Sequence, residues 1–313
     1  MRVVVTGATG FIGRHVCGEL ARVGTEVVAL GRRRPDTDVE YRQCADLADC
    51  PLAEALRGAK AVVHLAAIAH ERASALEKAG DYGEFVRVNV RATERLAREA
   101  AAAGVEHVVF LSTIGVCGEE THGAPFAEQS PPAPRSFYAR SKLEAEQRLE
   151  LVRAETGLRL TVFRPPLVYG PGNAGNFLRL LRLVARGWPL PLASIRNRRS
   201  LAYVGNVVSA IAAALRSPAA RGLFLVADRK ALSTPELIRQ LAQAMEREAL
   251  LWPMPASFLR AAAAALGQGE AARRLLGSLE VDSRKLEREL AWSAPFTEED
   301  GLSATARWFI GRH

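Results

Sequence analysis

Apolar positions along the first half of the chain switch between two periods. Val3, Val4 and Val5 form a β-branched run suited to a strand buried on both faces, and Ile12, Val16, Leu20 and Val23 then recur at helical spacing. The alternation continues, predicting strands over 3–6, 26–30, 40–44, 61–65, 107–112 and 159–164 and helices over 11–23, 84–103 and 138–155. Gly24, Gly104 and Gly157 each follow a predicted helix, where a left-handed cap is expected. Strands alternating with helices, and strands reading as continuous apolar runs, predict an α/β fold built on a doubly wound parallel sheet.

The alternation stops after Pro165, where Pro165-Pro166 and Gly170-Pro171-Gly172 cluster. Helices are expected over 174–186, 206–216, 234–247 and 255–266, with a short strand over 222–226. This division gives a dinucleotide-binding region over 1–164. A smaller, mainly substrate-binding region covers 165–313, with segments such as 206–216 returning to the sheet.

The turn between the first strand and helix reads Gly7-Ala-Thr-Gly10-Phe-Ile-Gly13. A helix N-terminus offers unpaired N–H groups and a partial positive charge, which suit a pyrophosphate only if its oxygens approach the backbone closely. Gly7 permits the tight turn, Gly10 the approach of phosphate, and Gly13 the close packing of the helix. The spacing is G-x-x-G-x-x-G rather than G-x-G-x-x-G, so the flanking strand and helix carry much of the argument.

At 313 residues, with 49% hydrophobic and 24% charged positions, the chain has room for a large core and shows no low-complexity segment. The first strand begins by Arg2, leaving no room for a signal peptide. The apolar stretches 207–215 and 261–266 are too short to span a bilayer. A cytoplasmic protein without membrane insertion is expected. Cys17, Cys44, Cys50 and Cys117 show no ligand spacing with His15, His64, His70, His107, His122 or His313, so no metal and reduced, partly buried thiols are expected. The formal charge of +8 is almost all arginine. These arginines are scattered without a basic tail or aromatic platform, which argues against nucleic acid and for a scattered solvated surface, whose field would also benefit an anionic small ligand.

Tyr138 and Lys142 stand four apart on a predicted helix and share a face. A lysine ammonium, with the positive charge of an oxidised nicotinamide, would lower the phenol from its ordinary value of about 10 and make it a usable acid or base. Thr113, at the carboxyl end of the strand over 107–112, can bind the reacting oxygen; it can equally cap a turn, and Ser112 beside it is a competing hydroxyl.

These pieces, with His64-Leu-Ala-Ala67, Val88-Asn-Val90, Leu111-Ser-Thr-Ile-Gly-Val-Cys-Gly118, Tyr138-Ala-Arg-Ser-Lys142 and Arg164-Pro-Pro-Leu-Val-Tyr-Gly-Pro-Gly172, resemble the extended short-chain dehydrogenases/reductases of the nucleotide-sugar epimerase, dehydratase and reductase group. The resemblance covers essentially the whole chain and implies a Rossmann-type domain with a Thr113-Tyr138-Lys142 triad. Lys142 would bind the nicotinamide ribose, Asp46 would approach the adenine, and Asn89 would support the network behind the site. The implied cofactor cradle comprises Gly7, Gly10, Phe11, Ile12, Gly13, Gly31, Arg32, Arg33, Asp46 and Leu47. Leu65, Ala66, Ala67, Asn89, Tyr138, Lys142 and Pro165 complete it. Cys117 replaces the usual tyrosine of a Val-Tyr-Gly stretch.

Cofactor choice is read at the end of the second strand. An acidic residue about 20 positions after the glycines would accept from the ribose hydroxyls and select NAD. Here the run is Leu30-Gly31-Arg32-Arg33-Arg34, whose guanidinium groups suit a 2′-phosphate, so NADP(H) is favoured with NAD(H) as the alternative.

By the same resemblance, Asn176 would touch the substrate phosphate region, Arg199 would clamp the diphosphate, and Arg274 is a second clamp candidate. The family's aspartate near Asn206 is absent. The leading expectation is NADPH-dependent reduction at C4 of a UDP-4-keto-hexose; the alternatives are a UDP-hexose 4-epimerase and a non-catalytic NADP-sensing protein. A dehydratase is disfavoured because Ile114 and Gly115 stand where an acidic pair would be. The resemblance also implies a homodimer through the helices over 84–103 and 138–155.

Overall fold

Strand β1 (Arg2–Thr6) lies inside the sheet because its middle carries nothing polar to expose: Val3, Val4 and Val5 are fully buried. Burial of each contributes about 1.5–3 kcal/mol relative to exposure. A computed structural model describes residues 1–267 and 269–312, with the side chains of all but residues 70, 71, 270 and 271. His313 therefore lies outside the described residues, as does the side chain of His70.

The remaining strands are β2 (Glu26–Gly31), β3 (Glu40–Gln43), β4 (Ala61–His64), β5 (His107–Leu111), β6 (Arg159–Arg164), β7 (Leu167–Tyr169), β8 (Leu201–Tyr203) and β9 (Gly222–Leu225). Among the described residues, seven form one parallel sheet in the order β3, β2, β1, β4, β5, β6, β9. Strand order reverses beside β1, with Val4 opposite Val28 on one side and Val62 on the other. Ligands bind at the carboxyl ends of the strands next to such a reversal.

Helices cover both faces. Phe11–Arg22 and Val204–Arg216 pack on one face through Val16, Leu20, Val207 and Ile211. Ala92–Ala102 and Phe137–Thr156 cover the other through Leu96, Ala100, Ala145 and Leu149. The Phe137–Thr156 helix has clear limits. The Ser136 hydroxyl accepts from the Ala139 N–H at its start, and Gly157, at φ 74°, closes its end.

The single helix expected over 84–103 is instead three consecutive pieces: Tyr82–Phe85, a π-helical turn Val86–Arg91, and Ala92–Ala102. The wider turn coincides with buried Asn89, whose amide is held by three hydrogen bonds from outside the helix.

In the second half, β7 and β8 pair parallel, and a separate apolar cluster gathers Tyr169, Phe177, Leu181, Ile238, Leu241, Leu302 and Phe309. The final helix, Glu298–Ile310, opens on a Thr297–Asp300 capping box, a local signal that apolar periodicity passes over.

One cysteine expectation is corrected. Cys17 and Cys117 are free and buried, but Cys44 and Cys50 form a disulfide across a Cα–Cα distance of 5.5 Å. The Asp46 carbonyl accepts from both Asp49 and Cys50 N–H groups, folding the loop back so that two cysteines six residues apart meet.

Asn206 is fully buried, and a carboxylate from a distant part of the chain, Asp228, lies beside it. Its amide donates to Asp228 Oδ1 (2.7 Å) and the Phe296 carbonyl (3.0 Å), and accepts from the Phe296 N–H (3.0 Å). Burial pushes Asp228 up to about 6, partly offset by Asn206 and the Tyr203 N–H. A carboxyl raised in the folded state stabilises the fold fully below its unfolded value and loses that contribution as pH rises through the folded value. Urea unfolding should therefore show the protein losing up to about 3 kcal/mol between about pH 4 and pH 7 relative to Asp228→Asn. Equal slopes for the two proteins would contradict this assignment.

Candidate active site

The glycine turn is built on a contact that only glycine permits. Gly7 has φ 67°, and a Cβ there would lie 2.8 Å from the Ala66 nitrogen. A Cβ on Gly13 would fall 2.1 Å from the Gly7 carbonyl oxygen, so the helix begins directly against the turn. Gly10 caps that helix with no side-chain hydrogen bond and no acidic residue in the first turn. The cradle thus fits a diphosphate: Phe11, Ile12 and Gly13 open the helix, where N–H groups lack intrahelical acceptors.

The same edge of the sheet gathers most of the other candidates. Gly31 ends β2, and Arg32 and Arg33 follow it, exposed and without an ion pair among the described residues. Leu65, Ala66 and Ala67 leave β4, Thr113 follows β5, and Pro165 follows β6, its carbonyl accepting from the Ile114 N–H at 2.9 Å. Asp46 accepts from the Ala48 N–H (2.9 Å) and pairs with Arg87 (2.7 Å), which together hold it below the usual carboxylate range. Leu47 beside it is buried in the core.

Tyr138 and Lys142 point inward from one helix. Tyr138 packs with Ile68, Phe85 and Phe137, and the Lys142 ammonium lies 4.3 Å from the centroid of the Phe110 ring. Desolvation governs both groups, and the lowered phenol expected from their spacing is not found. Burial pushes Tyr138 up to about 12 and pulls Lys142 down to about 7, with Glu146 opposing the latter.

Thr113 and Ser112 have separate partners. Ser112 donates to Glu146, which also holds Arg164 at 2.9 Å, so its hydroxyl is committed. Thr113 accepts from the Gly115 N–H at 3.2 Å, capping a short 3₁₀ turn, and retains its own proton for donation. Gly115 lies against Ala139, which brings this turn onto the Tyr138 helix.

Behind these groups runs a buried chain of hydrogen bonds. Thr93 donates to the Asn89 carbonyl (2.7 Å), so it accepts from His64 Nε2 (2.7 Å), leaving His64 Nδ1 to accept from Thr6 (2.7 Å). Thr6 in turn accepts from the Leu65 and Ala66 N–H groups at 3.2 Å each. Burial, reinforced by Lys142, lowers His64 to about 3, consistent with the neutral ring that this chain requires. Asn89 continues it, accepting from the Ile68 N–H (2.7 Å) and donating to Ser141 (2.9 Å).

Sequence reasoning missed Glu146 and the roles of Thr6, His64 and Thr93. Glu146 had a signal in its four-residue spacing from Lys142; the threonines had none.

In the second half, Arg199 and Arg274 come together. Arg199 donates to the Gly277 carbonyl at 3.1 Å, and burial lowers it, with Arg274 acting in the same direction and Glu120 and Glu119 opposing. Arg274 pairs loosely with Glu119 at 3.9 Å. Asn176 is exposed at the start of the Asn176–Ala185 helix and makes no hydrogen bond to the arginines. The preceding loop is tied to the glycine-turn helix by His15 to the Pro171 carbonyl at 2.9 Å.

Residues 3–226 match the model of the NAD dependent epimerase/dehydratase family. The chain is 33% identical over 314 residues to a UDP-glucose 4-epimerase of Vibrio cholerae, covering 98% of this chain and 95% of that protein. It is 29% identical over 250 residues to the N-acetyl-α-D-glucosaminyl-diphospho-ditrans,octacis-undecaprenol 4-epimerase of Escherichia coli O157:H7, covering 79% and 73%. Among solved structures, MoeE5 in complex with UDP-glucuronic acid and NAD superposes with a TM-score of 0.80 at 27% identity over the full length of both chains. With the glycine cradle, the inward Tyr138 and Lys142 and this match, the chain belongs to the NAD dependent epimerase/dehydratase family and is an NAD(P)-dependent sugar-nucleotide enzyme of the extended short-chain dehydrogenase/reductase type.

Proposed function

We propose that the protein interconverts the C4 epimers of a hexose carried on a diphosphate, with a UDP-hexose as the first substrate to test. What supports this reading is that Tyr138 packs on the Ile68 cluster, just beyond the end of β4 whose Ala66 meets Gly7, that Lys142 lies over Phe110 of the neighbouring strand, and that relatives are named 4-epimerases. When bound, the dinucleotide supplies the acceptor and donor of the C4 hydride. Tyr138 exchanges the C4 hydroxyl proton, Thr113 orients that oxygen, and Lys142 holds the nicotinamide ribose and draws the phenol toward ionisation. The apolar wall of Ile68 and Phe85 excludes water from the phenol. Arg199 and Arg274 bind the diphosphate, and Asn176 approaches its phosphate end. The paired Ala92–Ala102 and Phe137–Thr156 helices offer the face for a homodimer.

One observation favours a second reading. The exposed Arg32, Arg33 and Arg34 at the end of β2 suit a 2′-phosphate, and a consumed NADPH suits net reduction of a 4-keto sugar. The relatives outweigh it, and epimerisation takes precedence over the reduction expected from sequence.

Three outcomes are expected. Purified protein given a UDP-hexose and NAD should convert it to the C4 epimer with no net change in nicotinamide absorbance; stoichiometric oxidation of NADPH by a UDP-4-keto-hexose, without epimer formation, would replace this reading with the reductase. Tyr138→Phe should lower kcat by about 10²–10⁴ while dinucleotide affinity measured by calorimetry holds. If the arginines read a 2′-phosphate, Arg32→Ala with Arg33→Ala should weaken NADP at least about tenfold and leave NAD unchanged; equal effects on both would remove the basis for NADP.

A further inference from the structure

Two apolar stretches too short to span a bilayer have opposite surroundings. Residues 207–215 fall in the buried Val204–Arg216 helix. Residues 261–266 fall in and just beyond the helix Ala256–Ala265, which has no buried residue. Ala256 and Leu259 lean on the second apolar cluster, while Phe258 is 61% exposed and Leu266 76%.

Neighbouring chain enlarges this surface. The Leu190 N–H donates to the Leu250 carbonyl (2.8 Å) and the Trp252 N–H to the Leu190 carbonyl (3.0 Å), so the two extended segments run side by side. Leu250 and Trp252, two residues apart, share a face, and both are exposed, as is Trp188 at 59%. Pro253-Met254-Pro255 then leads straight into the helix bearing Phe258. Single exposed apolar residues are ordinary; two tryptophans, a phenylalanine and leucines on adjoining segments indicate a contact surface.

Charge selects the occupant. Residues 176–190 and 250–267 contain Arg179, Arg182, Arg186 and Arg260, all exposed, and no aspartate or glutamate. The nearest carboxylates along the chain, Glu248 and Glu270, flank the second segment on either side. The Arg186 guanidinium lies 5.4 Å from the centroid of the Trp188 ring. Indole rings rimmed by guanidinium groups match an interface of apolar chains below and anionic phosphates above. A second copy of a chain carrying +8 matches it poorly, since the arginines would face arginines.

We propose that this surface docks on an anionic phospholipid bilayer, with Trp188, Trp252 and Phe258 at the headgroup boundary and the arginines on lipid phosphates. Among the described residues no helix is long and apolar enough to cross a membrane, and the contact is interfacial. The Asn176–Ala185 helix runs from the substrate candidate Asn176 toward Trp188, and Ala256–Ala265 packs on the helix Gly269–Leu276 that carries Arg274. The proposal rests on exposure and charge and stands apart from the epimerase reading.

Co-sedimentation of the full chain with vesicles tests it. Binding to phosphatidylglycerol/phosphatidylcholine vesicles should exceed binding to phosphatidylcholine alone by at least about tenfold and fall steeply with added salt. The combined Trp188→Ser, Trp252→Ser and Phe258→Ser variant should lose at least about tenfold in binding with an unchanged thermal midpoint. A separate Arg179→Gln, Arg182→Gln, Arg186→Gln variant should lose most of the anionic preference. Wild-type protein remaining in the supernatant, or binding untouched by both sets of substitutions, would overturn the proposal. So would a serine variant that converts a dimer to a monomer in sedimentation velocity, because the surface would then be an interface between copies.

Discussion

Everything at the site follows from how closely two backbones approach beside β1, where the sheet reverses its strand order. Gly7 lies so near Ala66 that no side chain fits between them, and Gly13 presses the following helix onto the Gly7 carbonyl. This contact leaves the start of the helix bare of side chains at the carboxyl edge of the sheet, where a diphosphate can reach its N–H groups. The chain from Thr6 through His64 and Thr93 to Asn89 locks the same junction from beneath. Each polar group in it has a partner, which is what makes a buried network rigid rather than costly.

Burial also sets the proton chemistry. Lys142 is buried against Phe110 and Tyr138 is half-buried against the Ile68–Phe85 cluster, and desolvation favours the neutral form of each. Glu146 restrains the loss of charge on Lys142, and Arg164 with Ser112 holds Glu146 in place. The pair is thus sensitive to any further charge that enters the site.

The second half of the molecule brings together charges from distant parts of the chain. Arg199 and Arg274 come from segments about 75 residues apart and meet near two glutamates. The adjoining surface changes character within a few residues, from a charged clamp to exposed tryptophan and alanine-rich helix.

The amino-acid sequence alone determined the buried strands, the glycine turn and the placement of Tyr138 and Lys142 four apart on one helix, because each follows from spacing within about one or two turns of chain. The arginines near residues 32–34 and 199 were visible as residues, but their surroundings were not. Only the tertiary structure decided that Cys44 meets Cys50, that Asp228 supplies the carboxylate beside Asn206, and that His64 bridges two threonines. It alone decided that 207–215 is core while the equally apolar 261–266 faces outward. The physical reason is common to all of these: burial and hydrogen-bond partnership depend on which distant segments close over a residue, and local periodicity carries no record of that closure.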